Sequence, residues 1–329
     1  MNGMGRRGEF YGEGKVVRYN GNGYYMFANS MLTRTEERTG HNAAIYALRL
    51  APNGFYSAAA DGLLVHWHKD DVNFGRAVAN VEGGKFLGFD TLEDGGLVAG
   101  ALDGGVHWLY PDEPERNLHV AQHTRGVFAV LRVGEEVFTA GGDGVLTKWG
   151  AKTGRTIESL PVSGNSLRCI ANYPENPTLA IGASDGMVYT VNGDEMSLTG
   201  KCAGNPPSTF CVAFQPGIGW PRMIFGGRDT RLNSFDVAFV KSPDFTPIDA
   251  HNSTINDLAF SPNGKYLATA SRDKTVKLWD AHTWELLKVC EVVRDRGHVN
   301  SVNCLLWLDD TTLITAGDDR RILTWKLED

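Results

Sequence analysis

The chain has 329 residues, 42% of them hydrophobic and 22% charged, and carries a formal net charge of −7 at pH 7. That length accommodates two average domains or one large all-β domain, and the acidic balance disfavours non-specific binding to nucleic acid or anionic lipid. No apolar run approaches the roughly 18–20 residues a membrane helix needs, and the opening stretch MNGMGRRGEFYGEGKVVRYN has two early arginines with no apolar core behind them, unlike a secretory signal. The 39 glycines follow no collagen-like period, which points to many tight turns and therefore many short strands. Five cysteines, at 169, 202, 211, 290 and 304, make no C-x-x-C pair and leave an odd one, favouring reduced thiols in a cytoplasmic setting.

In chain order, residues 1–30 come first, Gly-rich with a hairpin-like N-G-N-G turn. They read as an N-terminal extension, either an extra hairpin or mobile, with Met31 beyond them a candidate natural start. Residues 31–41, MLTRTEERTGH, form a short strand-like segment with no repeat unit of their own. A repeat then begins. Strand–Asp–strand units place a turn aspartate at Asp61, Asp103, Asp143, Asp185, Asp229, Asp273 and Asp319, with successive spacings of 42, 40, 42, 44, 44 and 46 residues. Each unit has small or apolar residues before the aspartate and an alternating strand after it. Four units carry Trp six residues beyond the Asp (Trp67, Trp149, Trp279, Trp325), and the same four carry His 20 to 22 residues before it (His41, His123, His251, His298).

These units, best preserved in SPNGKYLATASRDKTVKLWD at 261–280, resemble the WD-repeat β-propeller family over residues 41–325. The resemblance implies an all-β fold over 31–329: seven four-stranded antiparallel blades, strands a to d running outward from a central channel. Only KLED follows Trp325, so the last repeat lacks its strand d, and residues 31–41 are expected to supply it by pairing with the last blade.

Ser271, His251 and Asp273 are the residue types of a serine hydrolase. The family resemblance implies something else: His before strand a, Ser or Thr on strand b, Asp in the b–c turn and Trp on strand c, bracing each blade as a buried hydrogen-bond chain. With the hydroxyl placed two residues before the Asp, the position reads Ala59, Gly141, Ser271 and Gly317, so only blade six is expected to hold the full set. A pattern spread over four repeats fits a brace rather than one catalytic site. Blades two, four and five lack the His and carry Leu109, Val191 and Phe235 in the Trp position, which suggests apolar packing in its place.

The family also implies a binding rim at the positions three and five after the His and just before the Asp. These give Tyr46, Phe128, Asn256 and Asn303, then Arg168 and Phe210 by strand alignment, and Arg228, Arg272 and Asp318 before the Asp. Aromatics with arginines are the types enriched at binding hot spots. The alternative is that the aromatics pack inward and the arginines pair with neighbouring acids. His66 and His68 share a strand face at metal-ligand spacing, but no carboxylate or Cys completes a site. No phosphate-loop motif is present. The expectation is a non-catalytic scaffold, without cofactor or metal, that binds a protein or peptide on one rim. A hydrolase-like enzyme with its site in the channel is the alternative.

Overall fold

The computed structural model describes residues 11–12, 15–19, 25–28, 32–217, 222–236 and 245–328. Alternating apolar residues and left-handed turns divide the chain into short antiparallel strands, and the helical content of the described residues is one four-residue turn at Val292–Asp295 and a 3-10 turn at Pro114–Arg116. The strands form seven four-stranded sheets, the blades, each running a-b-c-d in space. Strand a is Ile45–Ala51 in blade one, then Phe86–Thr91, Val127–Val133, Leu167–Asn172, Thr209–Phe214, Ile255–Phe260 and Val302–Trp307 in blades two to seven.

The ring closes as the sequence implies. Leu32–Thr39 is strand d of blade seven, paired along Arg321–Leu327, the strand c of that blade. Across this seam Arg321 clamps Glu37 with bonds of 2.7 and 2.6 Å, and the Glu37 carboxyl is held below its usual range chiefly by that contact. Strands at Tyr11–Gly12, Lys15–Tyr19 and Tyr25–Ala28 make a separate three-stranded sheet, the last two pairing as a hairpin. Its N-G-N-G turn and Met31 lie outside the described residues.

The core lies between blades, not within them. Seven apolar clusters form among the described residues, each joining two neighbours; Ile45, Phe55 and Trp67 of blade one pack on Ile314, Ala316 and Ile322 of blade seven, for example. Every blade thus buries both faces against others, the usual solution for a repeat that cannot bury its own apolar face alone.

One backbone feature recurs in all seven b–c turns. The residue after the turn aspartate sits at positive φ: Gly62, Gly104, Gly144 and Gly186, but Thr230, Lys274 and Arg320 in blades five to seven, at 71°, 74° and 62°. Only glycine adopts this region without steric cost.

Candidate functional site

Four blades contain a continuous hydrogen-bond chain through the interior. In blade three the Trp149 indole N–H donates to Thr139 Oγ1 at 2.9 Å, His123 Nε2 lies 2.8 Å from the same hydroxyl, and His123 Nδ1 lies 3.1 Å from Asp143. The indole can only donate and the ionised carboxylate can only accept. The hydroxyl therefore accepts from Trp149 and donates to His123 Nε2, and Nδ1–H donates to Asp143. Blades one, six and seven repeat this as Trp67–Ser57–His41–Asp61, Trp279–Thr269–His251–Asp273 and Trp325–Thr315–His298–Asp319. The backbone N–H after each histidine adds a further donor to the carboxylate.

The sequence expectation needs correcting here. The linking hydroxyl stands four residues before the aspartate, not two, so Ser271 is not the link and all four chains are complete. Ser271 bonds Ser253 O and the Asp273 amide instead. A strand repeats every two residues, so 269 and 271 face the same side, and blade six carries a hydroxyl at both. Comparing the four blades at the earlier position, where Ser57, Thr139, Thr269 and Thr315 stand, would have exposed the signal.

Burial opposes ionisation of Asp61, Asp143, Asp273 and Asp319, but the amide and histidine donors outweigh it and hold each carboxyl below its usual range. Burial pushes His41 and His251 down, opposed by their aspartates, so these imidazoles are neutral links. The four hydroxyl residues are fully buried and committed on both sides, so none of these four hydroxyls faces solvent.

The remaining blades solve the aspartate problem differently from one another. Asp185 accepts from Ser163 and Tyr189, both at 2.7 Å, and Asp229 from Asn205 at 2.5 Å. Blades four and five are thus not held by apolar packing alone, contrary to expectation. In blade two Asp103 takes the Gly105 amide, and Trp108, displaced one position, donates to Ala151 O of blade three. His66 bonds the Pro52 carbonyl, and among the described residues no three His, Cys, Asp or Glu side chains are grouped to hold a metal ion.

The channel mouth is built by a second recurring device. Each strand a carries one extra residue that its partner strand b does not match: Tyr46, Leu87, Phe128, Arg168, Phe210, Asn256 and Asn303 in blade order. A β-bulge re-aims its side chain out of the sheet, and all seven line one cavity of about 700 Å³. In every blade the residue before the turn aspartate donates its N–H to a carbonyl two residues before this bulged position, as Ala60 does to Ala44 and Arg272 to Thr254. That bond fixes the b–c turn beside the mouth.

Six of the nine predicted rim residues belong to this ring: Tyr46, Phe128, Arg168, Phe210, Asn256 and Asn303. The other three, Arg228, Arg272 and Asp318, lie on the b–c turns outside the cavity lining, all exposed. The ring has two halves. Asn256 donates to Ser301 Oγ and Val302 O, and Asn303 to Ile45 O and Asp318, so blades six and seven close in a satisfied polar network. In blades three to five the Arg168 guanidinium stacks on Phe128 at 4.1 Å and on Phe210 at 5.4 Å, with Nε donating to Ser184 at 2.6 Å. Tyr46 and Leu102 stand half in solvent at 37% and 47% exposure. Deeper in, burial pushes the Asp257 carboxyl up to about 6 despite bonds from the Leu305 and Leu258 amides.

Seven closed blades, four of them with this repeated Trp–hydroxyl–His–Asp chain, have the architecture of a WD-repeat β-propeller, the family this chain is similar to. The family profile "WD domain, G-beta repeat" matches residues 242–280 and 288–326, which cover blades six and seven. Among individual proteins, the chain is 24% identical over 95% of its length to actin-interacting protein 1 of Caenorhabditis elegans, covering 51% of that protein. It is 21% identical over 95% of its length to the 66 kDa stress protein of Physarum polycephalum, again covering 51%. Cilia- and flagella-associated protein 52 of Sus scrofa is 24% identical over 73% of the chain and 38% of that protein. The chain thus spans about half the length of the first two relatives.

Proposed function

We propose that the protein is a non-catalytic interaction module that binds a protein or peptide partner across the channel mouth. The observation that carries this reading is the ring of seven bulged residues. It collects two phenylalanines, a tyrosine, a leucine and an arginine around a cavity of about 700 Å³, within the size range of ligand sites. Arg228 and Arg272, exposed on neighbouring turns and without an ion pair among the described residues, extend the surface outward. WD-repeat proteins in general present protein-binding surfaces, and the name of one relative, actin-interacting protein 1, records a protein partner for that relative. Five unpaired cysteines suit a reducing cytoplasmic location. Among the described residues no helix is long and apolar enough to cross a membrane.

The test is affinity capture with mass spectrometry, wild type against a Tyr46→Ala, Arg228→Ala, Arg272→Ala triple variant. The reading requires partners captured by the wild type to be lost from the variant. Recovery of the same partners by both would overturn it.

A further inference from the structure

Building on the channel-mouth reading, we infer that the partner presents an oxyanion, a carboxylate or phosphate on a peptide, to Arg168. This residue is a cation held in place without a counter-ion. Its guanidinium lies between the rings of Phe128 and Phe210, and Ser184 Oγ fixes its Nε, so the side chain has one orientation before anything binds. No carboxylate pairs with it among the described residues: Asp257 is engaged by two backbone amides, and Asp318 by Asn303 in blade seven. Burial lowers the Arg168 pKa, opposed only in part by the neighbouring Cys169 thiol and by no carboxylate among the described residues.

Among the described residues neither terminal Nη group has a protein acceptor, and Arg168 lines the cavity. A planar fork with two parallel N–H donors matches the two oxygens of a carboxylate or phosphate. Aromatic faces on either side exclude water from that contact and strengthen it. An uncharged or basic group in the same place would leave the guanidinium desolvated and unpaired, which is costly. Leu102 and Tyr46 at the edge suit apolar residues flanking the anion.

The experiment is an array of random dodecapeptides in three parallel sets, each with one fixed position set to Glu, Gln or phosphoserine. It is probed with the wild type and with Arg168→Met, Arg168→Lys and Phe128→Ala variants whose melting temperatures match it. The wild type should favour Glu or phosphoserine over Gln by roughly tenfold, as for a hydrogen bond to a charged group. Arg168→Met should lose that preference, and Arg168→Lys, with charge but no fork, should retain part of it. The stronger of the two acidic sets identifies the source of the oxyanion. If Arg168→Met keeps the preference, or the wild type has none while still binding peptides in a Phe128-dependent way, the oxyanion inference fails and the binding site stands. If no peptide binding depends on Phe128, the channel-mouth reading fails with it.

Discussion

The space between blades and the mouth of the channel are both built by sevenfold repetition, yet they use it in opposite ways. Between blades, the same polar problem recurs and equivalent positions carry equivalent residues: Trp67, Trp149, Trp279 and Trp325 on strand c, each bonded to a Ser or Thr on strand b. At the mouth, seven equivalent bulges carry Tyr, Leu, Phe, Arg, Phe, Asn and Asn. Packing dictates the first set, because a buried indole N–H and an imidazole nitrogen must each find a partner. The backbone dictates only the place of the second set, and leaves the choice of side chain free. Repetition marks the frame; departure from it marks the surface that can recognise something.

That division can be broken first at its strongest point. Trp149→Ala removes a fully buried indole and the hydrogen bond it donates to the Thr139 hydroxyl, and should cost about 3–5 kcal/mol in urea unfolding at equilibrium. Phe128→Ala at the mouth should cost far less. A comparable loss for both would erase the distinction between frame and ring.

A sharper test separates the two hydroxyls of blade six. Thr269→Val leaves the Trp279 N–H and His251 Nε2 buried without partners, at about 1–3 kcal/mol for each unsatisfied group. Ser271→Ala lies outside that chain and should cost about 1 kcal/mol. The reverse order would restore Ser271 to the brace.

Acid should weaken the frame in two stages. His41 and His251 have folded pKa values below the unfolded value of about 6.5, so the unfolded chain binds protons first and their contribution falls as pH drops below that value. Asp257, raised to about 6, acts in the opposite sense between about pH 6 and 4, because there the folded protein holds the extra proton. The turn aspartates have depressed folded values, so their stabilisation is complete above about pH 4 and is lost as pH falls through the folded values. Unfolding midpoints measured from pH 7 to 3 should therefore fall most steeply below about pH 4. A midpoint that stays flat there would contradict the carboxylate assignments.

The smallest effect is a gain. Thr230 is a β-branched residue at positive φ where four other blades use glycine, and Thr230→Gly should raise stability by about 1 kcal/mol. A loss instead would mean that the threonine side chain contributes more than its backbone strain costs.

The fold was legible in the sequence because the turn aspartate recurs at a steady spacing in all seven repeats and the strand c tryptophan at a fixed offset from it in four, and the closing strand followed from the missing outer strand. The partners of Asp185 and Asp229 were not legible. They come from Ser163, Tyr189 and Asn205, at offsets of 22, 4 and 24 residues, with no shared spacing to detect. The mouth was legible in position and not in conformation. Counting from the histidine located Tyr46 and Phe128, but a bulge depends on pairing with strand b, which one strand alone does not reveal. Nor did the sequence show that Arg168 lies between two aromatic rings on neighbouring blades, a contact between residues 40 and 42 positions apart.

The central claim is that recognition happens at the ring of bulged residues. Hydrogen–deuterium exchange of the propeller, with and without a partner captured by the wild type, tests it most directly. Slowed exchange should concentrate in the segments around Tyr46, Phe128, Arg168 and Phe210, together with the b–c turns beside them. Protection confined to the outer strands d, with the channel mouth unchanged, would contradict it.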